Sequence, residues 1–546
     1  MIYKCKIIYR EIRMRKKSLS YDDRFSAQRC IRRGSNVLGK RVLMTVLAML
    51  LLTAAVQLSS IDRRYPNQII LTWQNDPQTT MTVTWRSDLG VEYLTYGERI
   101  VQLAAAQAER DRDPDTPYQA MQDPAFQQLW LTGNWEDLGY ASLDDAVFDM
   151  CYKLALSGQS VDEIVDRFQS SRLEVPYWGY YSDNRFWSSW RDSTVYFTDD
   201  SGLPVEQYAS QQAETYTFRE FGGWLHTAEL TGLSPDTEYA VVVETGRYRS
   251  EPFTFITAPS EERPIRFITG GDSRTYRDDR RKVNVVAAAY DPEFVVFNGD
   301  LIERALNEQH WDEWFDDWHE QMITESGRRI PVIPTVGNHE IEGSYFLTKE
   351  EGPFYFNRFH LPGNEQYYVI EYGPNLALVQ LDSDHSALVD GDQKQWLEQT
   401  LQHYSQTDRF IKVSYHVAAW PSVKTMEGDI PTRIREHWVP LFEQYGVDLV
   451  AECHEHSYKR TEAIFDGGID PVRGVVYIGD GGWGAPLRRA KDPDSYWWLK
   501  ESLTAHHFIG LELSACGMYM QVEPVIVGHE GEIDITPIYT VERKDR

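Results

Sequence analysis

The feature that most constrains this chain is a repetition in its C-terminal half: five times an apolar, strand-like run stops at a short polar cluster. Ile265-Arg266-Phe267-Ile268 stops at Gly270-Gly271-Asp272-Ser273-Arg274, and Phe294-Val295-Val296-Phe297 at Asn298-Gly299-Asp300-Leu301-Ile302-Glu303. Val332-Ile333 leads through Pro334-Thr335-Val336 to Gly337-Asn338-His339-Glu340. The run 410–413 stops at Ser414-Tyr415-His416, and 447–450 at Ala451-Glu452-Cys453-His454-Glu455-His456. From Pro264 onward these runs alternate with helical stretches, the pattern of an α/β domain. Ligands of layered α/β folds gather beyond the carboxyl ends of strands. Five such ends therefore deliver two Asp, an Asn, a His and a His-x-His pair to one place.

Those residue types suit a pair of metal ions. A carboxylate can bridge two cations, with imidazole and amide or carboxylate oxygens completing each shell. Two ions about 3.5–4 Å apart clamp a phosphate, lower the pKa of a bound water and stabilise both apical oxygens of an in-line displacement. Ligation by His, Asp and Asn without Cys suits Fe, Zn or Mn.

The ordered set Gly-Asp, Gly-Asp, Gly-Asn-His-Glu, His and His-x-His resembles the metallophosphoesterase (calcineurin-like phosphoesterase) superfamily. With the strands that precede it and Tyr458-Lys459-Arg460 after the last histidine, it is similar to the purple acid phosphatase branch, over roughly 66–88 and 193–530. The resemblance implies that Asp272 and His456 bind one metal, that Asn338, His416 and His454 bind the other, and that Asp300 bridges them. It implies His339 as the general acid, oriented by Glu340, and a metal-bound hydroxide as nucleophile. The implied activity is hydrolysis of phosphate monoesters. A phosphodiesterase or nucleotide hydrolase is the alternative on the same site, and an exported binding protein with a vestigial metal site is the alternative from another class.

The chain departs from that pattern in places. Purple phosphatases carry a tyrosine three residues after the bridging aspartate, and its phenolate on ferric iron gives the colour; Glu303 stands there instead. Glutamate is either an extra oxygen ligand or turned to solvent, and the purple band is expected to be absent. Arg274 stands where other branches place a histidine, and is either a bidentate grip on phosphate or half of a surface salt bridge. Lys424, just before Met426-Glu427-Gly428, is either a second phosphate contact or a solvated loop residue. The glycine-rich run Tyr477-Ile478-Gly479-Asp480-Gly481-Gly482-Trp483-Gly484 resembles the segment bordering the family's site and lacks the lysine of a nucleotide cradle. His506-His507 are read as rim residues.

The N-terminal half reads differently. Ile69–Trp73 and Met81–Trp85 are β-branched and aromatic runs around an Asn-Asp-Pro turn, and the texture returns at 193–197, 225–230, 239–243 and 252–257. Short strands at regular spacing predict a β-sandwich, and Leu233-Ser234-Pro235-Asp236-Thr237-Glu238-Tyr239 is the turn idiom of fibronectin-III-like domains. Between these strands, apolar residues recur at helical spacing over 143–156 and 161–168. Phe126, Leu129-Trp130, Gly133, Ser142, Asp144-Asp145-Ala146, Cys151, Leu154-Ala155, Ile164, Phe168 and Ser170-Ser171 resemble a small helical domain of phage and plasmid primase-polymerases. None of that family's catalytic modules accompanies it, and a helical decoration of the sandwich or active-site rim is the plainer reading.

The fold expected is therefore multidomain: a fibronectin-III-like sandwich (61–89 and 193–259) interrupted by a helical insertion (90–192), then an α/β metallophosphoesterase domain of two β-sheets flanked by helices (260–546). Ahead of them, residues 1–60 hold a basic stretch and the apolar run 42–58, read as a signal peptide or membrane anchor that places the body outside the cytoplasm. Residues 1–41 carry a balance of +10, so the net charge of −28 leaves −38 on the remainder. Such an acidic body disfavours nucleic acid as a partner and leaves a small phosphoester as the expected one. Three widely spaced cysteines in the body make neither a disulfide framework nor a zinc site, and Cys453 is read as packing.

Overall fold

The computed structural model describes residues 65–87, parts of 101–167, and 193–546 except 219, 247, 480, 529 and 530. The expected leader with its apolar run 42–58 and most of the expected insertion lie outside the described residues. Among the described residues no helix is long and apolar enough to cross a membrane.

Strands β1 (Asn67–Thr72) and β2 (Met81–Ser87) pair antiparallel across the turn at Asp76, whose carbonyl accepts from the amides of Thr79 and Thr80. The chain returns as β3 (Ser193–Thr198), β4 (Ala209–Gln212), β5 (Glu214–Tyr216) and β6 (Trp224–Leu230). It continues as β7 (Glu238–Thr245), β8 (Tyr248–Arg249) and β9 (Phe253–Ile256). Two antiparallel sheets result, ordered β1-β2-β6-β5 and β4-β3-β7-β8, with β9 also on β7. The β2–β6 ladder runs unbroken from Met81 opposite Leu230 to Ser87 opposite Trp224, so segments on both sides of the interruption share one sheet. The sheets meet where Trp85 Nε1 donates to Thr245 Oγ1 at 2.9 Å and Ser193 Oγ lies 2.9 Å from His226 Nδ1.

Of the interval between β2 and β3, the clearest described element is the helix Leu143–Leu156. Val147, Met150, Cys151 and Leu154 are buried at spacings of three, one and three, one stripe of a helix. Lys153 holds Asp149 one turn back at 2.9 Å.

The second half begins with β10 (Ile265–Gly270), β11 (Val295–Phe297), β12 (Val332–Pro334), β13 (Tyr368–Tyr372), β14 (Leu376–Gln380) and β15 (Phe410–Val417). Then come β16 (Leu449–Cys453), β17 (Tyr458–Thr461), the hairpin β18 (Ile464–Phe465) and β19 (Gly468–Ile469), and β20 (Val476–Gly479). The last strands are β21 (Leu499–Leu503), β22 (His506–Leu513), β23 (Tyr519–Val527), β24 (Ile533–Ile535) and β25 (Tyr539–Glu542). One sheet is ordered β12-β11-β10-β22-β23-β24 with β25 on β23, and the other β13-β14-β15-β16-β20-β17-β21. Within them β10, β11 and β12 are parallel, as are β14, β15, β16 and β20. Strands buried on both faces read as continuous apolar runs, which is why Phe294-Val295-Val296-Phe297 shows no alternation.

The helix Glu308–Gln321 backs the first sheet. Asn307 caps it by accepting from the Gln309 amide, and Trp311, Trp314, Phe315 and Trp318 form its buried stripe. Trp314 reaches the site loops directly, donating to Ser273 Oγ at 2.9 Å. The same helix fastens strands β1 and β2 to the second half. Gln68 Nε2 donates to Asp316 Oδ1 at 2.8 Å, His319 Nδ1 accepts from the Ile69 amide at 3.1 Å, and Arg86 pairs with Asp312.

Candidate metal centre

The loops after β10, β11, β12 and β16 meet His416, which stands on β15 itself. They are stitched backbone to backbone: the Asp272 amide donates to the Gly299 carbonyl and the Ser273 amide to the Asp300 carbonyl, each at 3.0 Å. A Cβ on Gly337 would lie 2.5 Å from the Asp300 amide nitrogen, and one on Gly299 would lie 2.8 Å from the Gly337 backbone. Only glycine allows that approach. The glycine-rich loop after β20 closes the ring. Trp483 N donates to the Gly271 carbonyl at 3.0 Å and Ala485 N to the Asp272 carbonyl at 2.8 Å.

Four of the converging residues sit in the left-handed region: Asp272 (φ 57°), Asp300 (φ 56°), His454 (φ 77°) and His456 (φ 57°). Non-glycine residues in sparsely populated backbone conformations cost about 1–3 kcal/mol each and persist where the surroundings over-determine them. Here the stitched loops impose the conformation, and it turns the side chains inward.

Two donor groups result, sharing Asp300. Asp272, Asp300 and His456 offer atoms all within 4.8 Å of one another, and so do Asp300, His416 and His454. In the first group His456 Nε2 lies 3.1 Å from Asp272 Oδ1. In the second, His416 Nε2 lies 3.2 Å from Asp300 Oδ1, 3.1 Å from His454 Nδ1 and 3.2 Å from Asn338 Oδ1. The polar accounting fits a cation at the first group: Asp272 Oδ1, Asp300 Oδ2 and His456 Nε2 are buried with no hydrogen-bond partner. Buried polar atoms in folded proteins are nearly always satisfied, and these three belong to residues of one donor group.

The imidazoles are set with a nitrogen facing the site. His416 Nδ1 donates to the Asn298 carbonyl and His456 Nδ1 to the Pro486 carbonyl, each at 2.8 Å, which leaves Nε2 for the site. His454 is reversed, with Nδ1 inward and Nε2 against Lys424 Nζ. Burial alone would raise the Asp300 carboxyl, but the charge and hydrogen bond of His416, then His339 and His454, hold it well below the usual range. Burial would lower His416, yet Asp300 and then Asp272 hold it up at about 9. Burial, then His416 and Lys424, push His454 well below its ordinary value.

Around the donors, several expectations are corrected. Glu340 does not touch the His339 ring: its buried carboxylate accepts from the amides of Gly337 (2.7 Å), Asp300 (2.8 Å) and Leu301 (2.8 Å), bracing the loops that carry Asn338 and Asp300. Burial and then the Asp300 charge raise this carboxyl to about 8. What holds His339 is the main-chain carbonyl of Glu303, which accepts from Nδ1 at 2.7 Å, while Nε2 lies 3.8 Å from Asp300 Oδ2. The Glu303 side chain lies in neither donor group and is not turned freely to solvent; it holds Arg274 Nη1 at 2.7 Å and Thr275 Oγ1. Arg274 does form a salt bridge, with Glu303, but a mostly buried one: its side chain is 12% exposed and its Nε lies 3.4 Å from Asp300 Oδ2. Lys424 is not a loose loop residue either, because its ammonium abuts His454. His507 is buried with its ring edge on Tyr458, and the His506 ring nitrogen Nδ1 lies 3.1 Å from the Gly482 carbonyl, so both back the glycine-rich loop.

A sixth strand end was missed. After β14, Asp382-Ser383-Asp384-His385-Ser386 folds under the site, with the His385 ring 5.6 Å from His416 and 5.0 Å from Tyr345. Asp382 accepts from the amides of His385 (2.7 Å) and Ser386 (2.9 Å), and burial raises it to about 7. Burial, then His416, lower His385 to about 3. The apolar run 376–379 followed by acids was the available signal. Elsewhere, a cleft of about 1200 Å³ lies between residues 443–446, 460–476 and the C-terminal strand. Several of its charged groups are paired, as in Arg460–Glu501, Arg473–Asp470 and Lys500–Glu462. Cys453 is buried, and a Cβ on Gly271 would come within 2.7 Å of its sulfur, in keeping with a packing role.

Residues 271–458 match the family model described as calcineurin-like phosphoesterase. An uncharacterised protein of Mycobacterium tuberculosis is 28% identical over 323 residues, covering 50% of this chain and 57% of that protein. The Fe(3+)-Zn(2+) purple acid phosphatase 12 of Arabidopsis thaliana is 27% identical over 301 residues, covering 50% of this chain and 63% of that one. The chain thus spans about 57–63% of the length of these relatives. Among solved structures, purple acid phosphatase from yellow lupin (Lupinus luteus) seeds superposes with a TM-score of 0.60 at 15% identity, over 89% of this chain and 75% of that chain. PhoD superposes with a TM-score of 0.51 at 11% identity, over 64% of this chain and 83% of that chain. At such identities the superpositions speak for the fold.

Proposed function

We propose that this chain, whose residues 271–458 match the calcineurin-like phosphoesterase family model and which is similar to purple acid phosphatases, hydrolyses phosphate monoesters with two metal ions. The observation that carries the proposal is the sharing of Asp300 by two donor groups: Oδ1 faces His416, while Oδ2 is buried without a hydrogen bond and the residue groups with Asp272 and His456. A carboxylate so placed would be able to hold a cation on either side.

In this reading Asp272, Asp300 and His456 hold one ion, and Asp300, Asn338, His416 and His454 hold the other. Fe, Zn or Mn suits such a donor set. When bound, the pair polarises the phosphoryl group and activates water. His339 supplies the proton. The Glu303 carbonyl occupies its Nδ1, so the ring gives up a proton from Nε2 to the departing alkoxide, which leaves poorly unprotonated. Arg274 and Lys424 border the donors and supply cationic contacts for phosphate oxygens, Arg274 through its planar fork. Glu340 acts at one remove by keeping the Asp300 and Asn338 loops in register.

Diesters or nucleotides are the alternative substrates, because the same donors serve both and the pocket wall decides. Comparing p-nitrophenyl phosphate with bis(p-nitrophenyl) phosphate on metal-loaded protein tests this. Faster turnover of the monoester is expected, and the reverse order overturns the monoester assignment. Export through residues 42–58 belongs to the same proposal and rests on the sequence. Cell fractionation tests it, activity confined to the cytoplasm counting against it.

A further inference from the structure

We propose that the two cation positions are loaded unequally, the Asp272–Asp300–His456 position binding its ion more weakly because the Arg274 guanidinium contends for the same oxygen of Asp300. This rests on the two-metal reading above and deepens it.

Both the donor count and the charges point this way. Asn338, His416 and His454 join Asp300 at one position and give four donors, the His416 ring fixed by the Asn298 carbonyl and the His454 ring by Lys424 behind it. The other position has three, and its shared donor is contested. Arg274 Nε is buried without a hydrogen-bond acceptor of its own and lies 3.4 Å from Asp300 Oδ2. His339 Nε2 approaches the same oxygen at 3.8 Å. By contrast, Asp300 Oδ1 meets a neutral main-chain donor, the His339 amide at 3.1 Å, and the His416 ring.

Arginine cannot shed its charge in a protein, so an arriving cation meets a fixed positive neighbour that already draws on its ligand. Repulsion scales with the charge of the ion, so a divalent ion is tolerated there better than a trivalent one. Glu303 is the counterweight. Its carboxylate holds Arg274 Nη1 at 2.7 Å, with Thr275 steadying it, and offsets part of the guanidinium charge. Neutralising Glu303 therefore weakens the contested position, and neutralising Arg274 strengthens it. A structural role for the pair would not produce effects of opposite sign.

The test is a calorimetric titration of metal-free, full-length protein with Mn²⁺, with free Mn²⁺ counted by electron paramagnetic resonance. The wild type should bind one ion tightly and a second at least about tenfold more weakly. Arg274→Met should bring the second constant to within a few-fold of the first, Glu303→Gln should weaken it several-fold further, and Arg274→Lys should preserve the inequality. His416→Ala should remove the tight event and spare the weak one. Two equal events in the wild type, or a second event indifferent to Arg274→Met, would overturn the inference. Phosphoester hydrolysis alongside two equal events would leave the phosphoesterase reading standing. Unequal loading with no hydrolysis at saturation would overturn that reading and keep the inference.

Discussion

His339 Nδ1 donates to the main-chain carbonyl of Glu303 at 2.7 Å, which aims Nε2 at the space beside Asp300. The proposed proton donor is therefore oriented by a peptide group rather than by its neighbour Glu340. His339→Ala should lower kcat by about 10²–10⁴-fold on an alkyl phosphate, and much less on p-nitrophenyl phosphate, whose leaving group needs no proton. Measuring kcat across leaving groups of graded basicity checks this. Glu303→Gln should leave that dependence intact, since the carbonyl stays.

Glu340 accepts three buried amide hydrogens. Glu340→Ala strands them, at about 1–3 kcal/mol for each unsatisfied donor. The melting temperature should fall further than in His339→Ala, and bound metal should fall with it. An unchanged melting temperature would contradict the brace.

Gly481 lies at φ +83°, and a Cβ there would come within 1.7 Å of Asp272 Oδ2. Gly481→Ala should displace the Asp272 carboxylate and reduce bound metal. Gly467→Ala, at φ +67° in a turn where the Cβ meets nothing within 4 Å, should be tolerated with full metal content. Metal analysis of the two proteins separates a site effect from backbone strain alone.

Lys412 is fully buried on β15, with its ammonium 2.6 Å from Ser414 Oγ, and burial lowers it to about 7 from the usual 10.5. Between those values the unfolded chain holds more protons, so stability should rise with pH across that window and be lowest below about 7. Lys412→Met removes the buried charge. It should stabilise the protein most below about pH 7, with the gain shrinking towards pH 10. Denaturant titrations of both proteins at pH 6, 8 and 10 give the comparison.

The sequence was most legible where structure is local. An apolar run that ends in Gly-Asp or Gly-Asn-His is a strand and its carboxyl end, and β10, β11, β12, β15 and β16 stand where those runs stood. Pairings across long separations were not legible. The Glu340 carboxylate belongs to the Asp300 amide 40 residues upstream, and Arg274 to Glu303 29 residues downstream. Neither spacing follows from a helix or strand period. His385 was missed because Asp382-Ser383-Asp384-His385 carries no glycine and reads as an ordinary polar loop. Its burial follows only from the packing of β14 beside β15.

The central claim is that Asp300 joins two cation positions that together cleave phosphoesters. Its most direct test is metal content and p-nitrophenyl phosphate hydrolysis, measured side by side on wild type and His416→Ala. The account predicts two ions per wild-type chain, the loss of one in the variant, and a loss of activity of at least a hundredfold. Wild-type activity in His416→Ala, or hydrolysis by a metal-free chain, would contradict it.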